Sequence, residues 1–255
     1  MDDKELQLLA YELRNNWFTL DGQAKIDLND ERSWLGQEKF TPNNENGILF
    51  STMYYYALSK LGLLKSLDGF NWIRSVELTR KPNTKGIFYR RKLDSKRTQS
   101  HDNVVALVCG ALLFDSSIRF EIRSEIYRNC FRYQVVEGEP WYSSIIQGGD
   151  MYIIDVCCGK HSNPIFFLWF ILGLLVFNKD EGQLNLARLR LDALQLAIKT
   201  YPNKLYNTLY NIIRWLFNKR YKDNHKSIEA YFGREGERNP YIDLMEEIFN
   251  GTKRN

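Results

Sequence analysis

Ser100-His101-Asp102-Asn103-Val104-Val105-Ala106-Leu107-Val108-Cys109-Gly110-Ala111-Leu112-Leu113-Phe114 is the stretch that decides the fold. Serine is a preferred helix N-cap because its oxygen can accept a hydrogen bond from a free amide of the first turn. Asn103, three residues later, gives a weak analogue of a capping box. The apolar segment Val104 to Phe114 is therefore expected to be a helix.

Outward from it the periodicity is mostly helical. Leu6, Leu9, Leu13, Trp17 and Phe18 keep spacings of three and four, which puts them on one helix face. Asn43 or Asn44 can cap a helix from about Glu45, with Leu49, Met53, Tyr56, Leu58 and Leu61 inward and Gly62 at its end. Ile118 to Tyr133 suits a short strand or a helix, and the helix is preferred. After a connecting loop from Gly138 to Gly149, further helices are expected near Asp150–Cys158, from Pro164, over Gln183–Lys199, over Asn203–Tyr221 and over Tyr241–Phe249. Pro164 stands at a first helical position, where no needed hydrogen bond is lost, and Pro202 makes a sharp stop. Charges, Pro82 and Gly86 break any apolar stripe between Asn71 and Arg97, so about 71–99 is read as an irregular basic arm. The expectation is a mostly α, multi-helix single domain over 1–255, built from antiparallel helix pairs and arranged as an (α/α)-toroid-like or an orthogonal bundle.

Composition narrows the class. The chain has 255 residues, 44% hydrophobic and 26% charged, which suits a globular core and excludes wholesale disorder. The net charge of +4 is modest, but it is unevenly placed. Arg80 to Arg97 holds eight basic residues, among them Arg80, Lys81, Arg90, Arg91, Lys92 and Arg97, against the single Asp94. With Phe88 and Tyr89 between them, these form a candidate surface for nucleic acid, another anionic polymer or an acidic protein. A solvated loop is the plainer alternative.

Cys109, Cys130, Cys157 and Cys158 do not make a disulfide framework, and adjacent Cys157-Cys158 lacks the gap that lets a CxxC pair grip zinc. No metal and no cofactor is expected, since phosphate-loop, dinucleotide and nucleophile-elbow motifs are missing from the sequence. Met1-Asp2-Asp3-Lys4-Glu5 and the Leu-rich stretch broken by Glu12 and Arg14 are unlike a signal peptide, so export by the general pathway is not expected. The run Pro164 to Phe177 falls short of the ~20 residues that span a bilayer. A buried helix, without stable membrane insertion, is expected there.

The candidate chemistry gathers at His101 and Asp102. In a first helical turn the backbone amides favour an anion, so Asp102 suits a carboxylate base and His101 a proton carrier. Cleavage of a glycoside asks for a second carboxylate, and Glu45 is the first candidate, with Asp150 and Asp155 next. A capping network without catalysis is the competing role. Cys157 and Cys158, in an apolar context, are expected to be inert.

Glu45-Asn46-Gly47-Ile48-Leu49-Phe50 with Tyr54 to Tyr56, then Arg80-Lys81-Pro82, Arg90-Arg91 and Ser100-His101-Asp102-Asn103, form an order that resembles poorly characterised helical proteins of tailed bacteriophages. Asp155 to Gly159, Asn163-Pro164 and Asn239-Pro240 are similar too. The resemblance implies a phage virion or tail-associated structural protein, with other phage subunits as partners and a homo-oligomer as one form. The glutamate-asparagine-glycine at one helix start and the aspartate-asparagine at another resemble, at fold level, the helix-end loops of (α/α)-toroid glycosidases and lyases. That likeness implies the second function class, a carbohydrate-active enzyme with its carboxylate site around Asp102.

Overall fold

The structure, a computed structural model, describes residues 3–16, 47–89, 99–133, 146, 148–176, 181–202, 208 and 210–215. It is mostly α. Among the described residues there is no strand, and one isolated antiparallel bridge joins Arg80 to Phe88. The helices are α1 (Asp3–Asn16), α2 (Gly47–Lys60), α3 (Ser66–Glu77), α4 (His101–Leu113), α5 (Ile118–Arg128), α6 (Gly148–Cys157), α7 (Pro164–Val176) and α8 (Glu181–Thr200). Residues 210–215 are helical as well.

Side-chain contacts fix the directions. Thr52 donates to the Ala106 carbonyl at 3.3 Å and Tyr56 to the Cys109 carbonyl at 3.0 Å, so α2 and α4 run the same way. The first turn of α6 meets the first turn of α4 through Asp150 and His101, and its last turn brings Cys157 to Cys109. α8 follows the same direction, with Arg190 against Asp150 and Ala197 sharing a cavity wall with Val156. The intervening helices run back. Gly69 and Trp72 of α3 face Phe114 and Gly110, while Arg119 and Arg123 of α5 face Cys158 and Asp155. In α7, Trp169 faces Gly148 and Phe167 faces Tyr152. Four parallel inner helices, α2, α4, α6 and α8, are thus alternated with returning outer helices, α3, α5 and α7.

The sequence of α4 explains why it lies at the centre. Every residue from Asn103 to Leu112 is buried, and a helix apolar on all sides needs a neighbour on all sides. It has them in α2, α3, α5, α6 and α8. Because α4 touches α8 directly, the inner layer is a filled cluster. Its core includes Met53, Trp72, Leu107, Ile153 and Leu189.

Several local expectations change. Asn71 to Glu77, expected in the irregular arm, belongs to α3, because Trp72, Ser75 and Val76 form a buried stripe that the surrounding charges conceal in the sequence. Beyond α3 the chain makes a compact turn. Lys81 N–H donates to the Ile87 carbonyl at 3.0 Å and Tyr89 N–H to that of Thr79 at 2.8 Å. Gly86 closes the turn at φ +76, and a Cβ there would lie 2.8 Å from the Glu121 carbonyl carbon, so a side chain is excluded on both counts. Ser100 is the N-cap of α4 by backbone geometry, but its hydroxyl makes no capping bond. Within 118–133, residues Ile118–Arg128 form α5, the preferred helix, and the chain then turns. The run from Pro164, expected to be a buried helix, forms the outer helix α7, which leaves Ile165, Leu168, Trp169 and Leu172 exposed because only its other face packs on α6. The expected caps Asn43 and Asn44, and the helix at 241–249, lie outside the described residues.

Candidate functional site

The parallel stacking of the inner layer sets the first turns of α4 and α6 side by side, and that juxtaposition builds the site. His101 Nε2 donates to Asp102 Oδ1 at 2.6 Å, and His101 Nδ1 faces Asp150 Oδ2 at 3.4 Å. The second distance is that of an ion pair and exceeds a well-formed hydrogen bond. Arg190 of α8 donates to the other oxygen of Asp150. Tyr133 stands edge-on to the imidazole, 6.3 Å between ring centres.

Exposure separates the members by role. The Asp150 side chain is 0% exposed and that of Arg190 is 13%, whereas His101 and Asp102 keep 32% and 31% of theirs open. A molecule arriving from solvent can therefore touch His101 and Asp102 and cannot touch Asp150. Asn103, the next residue, is buried, and its side-chain Nδ2 has no hydrogen-bond partner among the described residues. An open donor of this kind costs about 1–3 kcal/mol, so it marks a place where a polar ligand atom would be welcome.

The electrostatics reverse the usual preference of a helix start. A cation in the first turn is disfavoured by about 0.3–1 kcal/mol. For His101, burial pulls the imidazole pKa down, yet Asp102 and Asp150 more than offset this and push it up to about 9. His101 is thus an imidazolium at neutral pH, and the quartet His101, Asp102, Asp150 and Arg190 is neutral overall. Burial, with Asp150 and Asp102 adding their charges, pushes the Tyr133 phenol up to about 12, so Tyr133 is no base near neutrality.

The quartet makes stability depend on pH. The folded His101 pKa lies above its ordinary value of about 6.5, so the imidazolium contributes stability that is fully present below pH ~6.5 and is lost as pH rises through about 9. The midpoint of thermal unfolding should fall across that interval in the wild type. In His101→Asn the decline should flatten, and equal slopes in the two proteins would contradict the assignment.

The other expected site residues fall in different places. Asp155, at the opposite end of α6, is held by Arg123 Nε at 2.7 Å and by the Tyr127 hydroxyl at 3.1 Å, and takes no part. Arg80 pairs with Glu77 and Glu121, both at 2.6 Å, and lies over the Phe88 ring, so its charge is already met within the molecule. Lys81 is half-buried in the turn. Glu45, Arg90, Arg91, Lys92 and Arg97 lie outside the described residues. Cys109 and Cys157 are buried against one another, and the hydrogen bond between them, which keeps the Cys157 proton in place, together with burial drives the Cys157 thiol well up, which fits inert thiols.

Arg190 and Tyr133 are members of the site that sequence reasoning does not single out. The available signal is a charged triplet, Arg188, Arg190 and Asp192, inside a helix whose other positions are largely Leu and Ala. Among the described residues no group of His, Cys, Asp and Glu has an arrangement that could hold a metal ion, and no helix is long and apolar enough to cross a membrane. No family model, curated protein or solved structure matches this chain.

Proposed function

We propose that the chain is a carbohydrate-active enzyme, and that it cleaves an anionic, uronate-type polysaccharide by elimination. The observation that carries this reading is a half-exposed His101–Asp102 pair seated on a fully buried Asp150–Arg190 pair at the start of α4. The first turns of α2, α4 and α6 open at the same end of the inner layer, and helix starts attract anions. That end, with its imidazolium, suits a substrate carboxylate.

The burial of Asp150 favours elimination over hydrolysis by an Asp102–Asp150 pair. Two-carboxylate hydrolysis needs both groups at the sugar, and Asp150 is sealed away from it. Elimination needs a proton acceptor and a donor. Asp102 supplies the carboxylate that meets the substrate, His101 carries the proton for the leaving oxygen, and Asp150 is a positioning residue behind the ring. In an assay with alginate, pectate and hyaluronan as probes, the new double bond should appear in the ultraviolet. Asp102→Asn should lower the rate by at least ~100-fold while the circular dichroism shows the fold retained, with only the modest loss of melting temperature that removal of the His101 partner brings. No cleavage of any of the three by the wild type would overturn the proposal.

A second reading, a phage virion or tail-associated interaction protein, is favoured by the apolar side chains left exposed on α7 and by Ile212 and Trp215. Its test is the presence of the chain in purified virions by mass spectrometry. Absence there would dismiss it.

A further inference from the structure

The outer helix α7 is apolar on both faces and covered on one. Phe170 and Leu174 are buried, and Tyr152 of α6 stacks on Phe167 and Phe170. The opposite face exposes Ile165, Leu168, Trp169 and Leu172, whose spacings of three, one and three make a single stripe. Trp169 is 58% exposed, yet its Cβ and Cδ1 rest on Gly148, so it projects from a held position. One turn further, Gly173 is exposed, and nothing lies within 4 Å of the place a Cβ would occupy. The stripe therefore carries a large knob and an open hole four residues apart.

We propose that α7 is a homodimer seam, on which a second copy of this chain lays its own α7 antiparallel about a two-fold axis near residue 171. That axis puts each Trp169 over the Gly173 of the other copy, so one stripe supplies both halves of the fit, as an isologous contact requires. No Asp, Glu, Lys or Arg occurs from Pro164 to Phe177, so the two-fold brings no like charges together, and the antiparallel helix dipoles attract. A lipid surface is the rival occupant. Interfacial helices couple an apolar face to a basic one, whereas α7 carries no charge, and Lys179 beyond it is followed by Asp180 and Glu181. A seam of one helix is small against the ~800 Å² per partner of a standard interface, so the dimer is a weak, reversible one.

Sedimentation equilibrium of the full chain over a wide concentration range tests this. A reversible monomer–dimer equilibrium is expected. Gly173→Glu sets two carboxylates at the crossing and should weaken association at least about tenfold, and Trp169→Ala should weaken it too. Because position 173 is open, Gly173→Glu should keep the wild-type circular dichroism and melting temperature, which separates loss of the seam from loss of the fold. A wild type monomeric at every concentration overturns the proposal. So does a dimer indifferent to Gly173→Glu, or a monomer that floats with phosphatidylcholine vesicles.

Discussion

Asp150→Asn is expected to destabilise the protein by about 3–5 kcal/mol, the cost of removing one partner from a buried ion pair. The carboxylate is fully buried between two cationic groups, Arg190 on one oxygen and His101 facing the other. The amide keeps the shape and one acceptor, and it removes the charge that makes two neighbouring cations tolerable in a dry site. His101 retains only Asp102, so the unfolding midpoint should also lose part of its decline between pH ~6.5 and 9. The double variant Asp150→Leu with Arg190→Leu should recover much of the lost stability, because a buried ion pair exchanged as a whole for apolar side chains is often neutral. Urea titrations of the two variants and the parent decide the matter. A loss below about 1 kcal/mol for Asp150→Asn would mean that the pair is effectively solvated. Lys60 and Asp192 provide the internal comparison. The lysine of that pair is 26% exposed against 13% for Arg190, so Lys60→Met should cost less than Arg190→Met.

Which parts of this arrangement are legible in the sequence depends on whether the information is local. The charge-free run of α4 announces a buried helix, and the repeats of three and four in α8 announce an amphipathic one. α3 is obscured because Arg74 and Glu77 flank its buried stripe and two of the four inward positions, Asp68 and Ser75, are themselves polar, which makes a weak periodic signal. The site is half legible. His101 and Asp102 are neighbours in the chain, but Asp150 lies far along it and reaches them because α6 runs parallel to α4, a fact that periodicity within either helix does not contain. Arg190 is hidden for a related reason. An arginine beside Leu189 and Leu191 reads as a solvent-facing position of a two-faced helix, yet α8 is an inner helix with more than one covered side, and the side chain turns in toward Asp150. Ser100 shows the opposite case, in which residue type marks the right position while the hydroxyl goes unused.

Gly110→Ala should be the most damaging one-carbon change in the core. A Cβ at this position would lie within the van der Waals surface of Trp72, 2.9 Å from Cη2 and closer still to Cζ2. Trp72 has little room to yield. It is fully buried, its Nε1 donates to Thr52 Oγ1 at 3.3 Å, and its ring leans on Phe114 at 5.7 Å. Overpacking of this kind costs typically 1–3 kcal/mol, and the upper end applies where the neighbour is itself hydrogen-bonded and enclosed. Helix propensity works in the other direction, since alanine is better than glycine in a helix interior by about 1 kcal/mol, so a net loss of roughly 2 kcal/mol is expected. The two effects can be separated. In a Trp72→Leu background the obstructing ring atoms are gone, and Gly110→Ala should become neutral or mildly stabilising, a coupling of about 2–3 kcal/mol in a double-mutant cycle. Gly173→Ala on α7, helical and with open space around it in the single chain, should show the propensity gain without the clash when measured at concentrations where the protein is monomeric. If Gly110→Ala and Gly173→Ala proved equally benign, close approach of α3 to α4 would not be what makes position 110 a glycine.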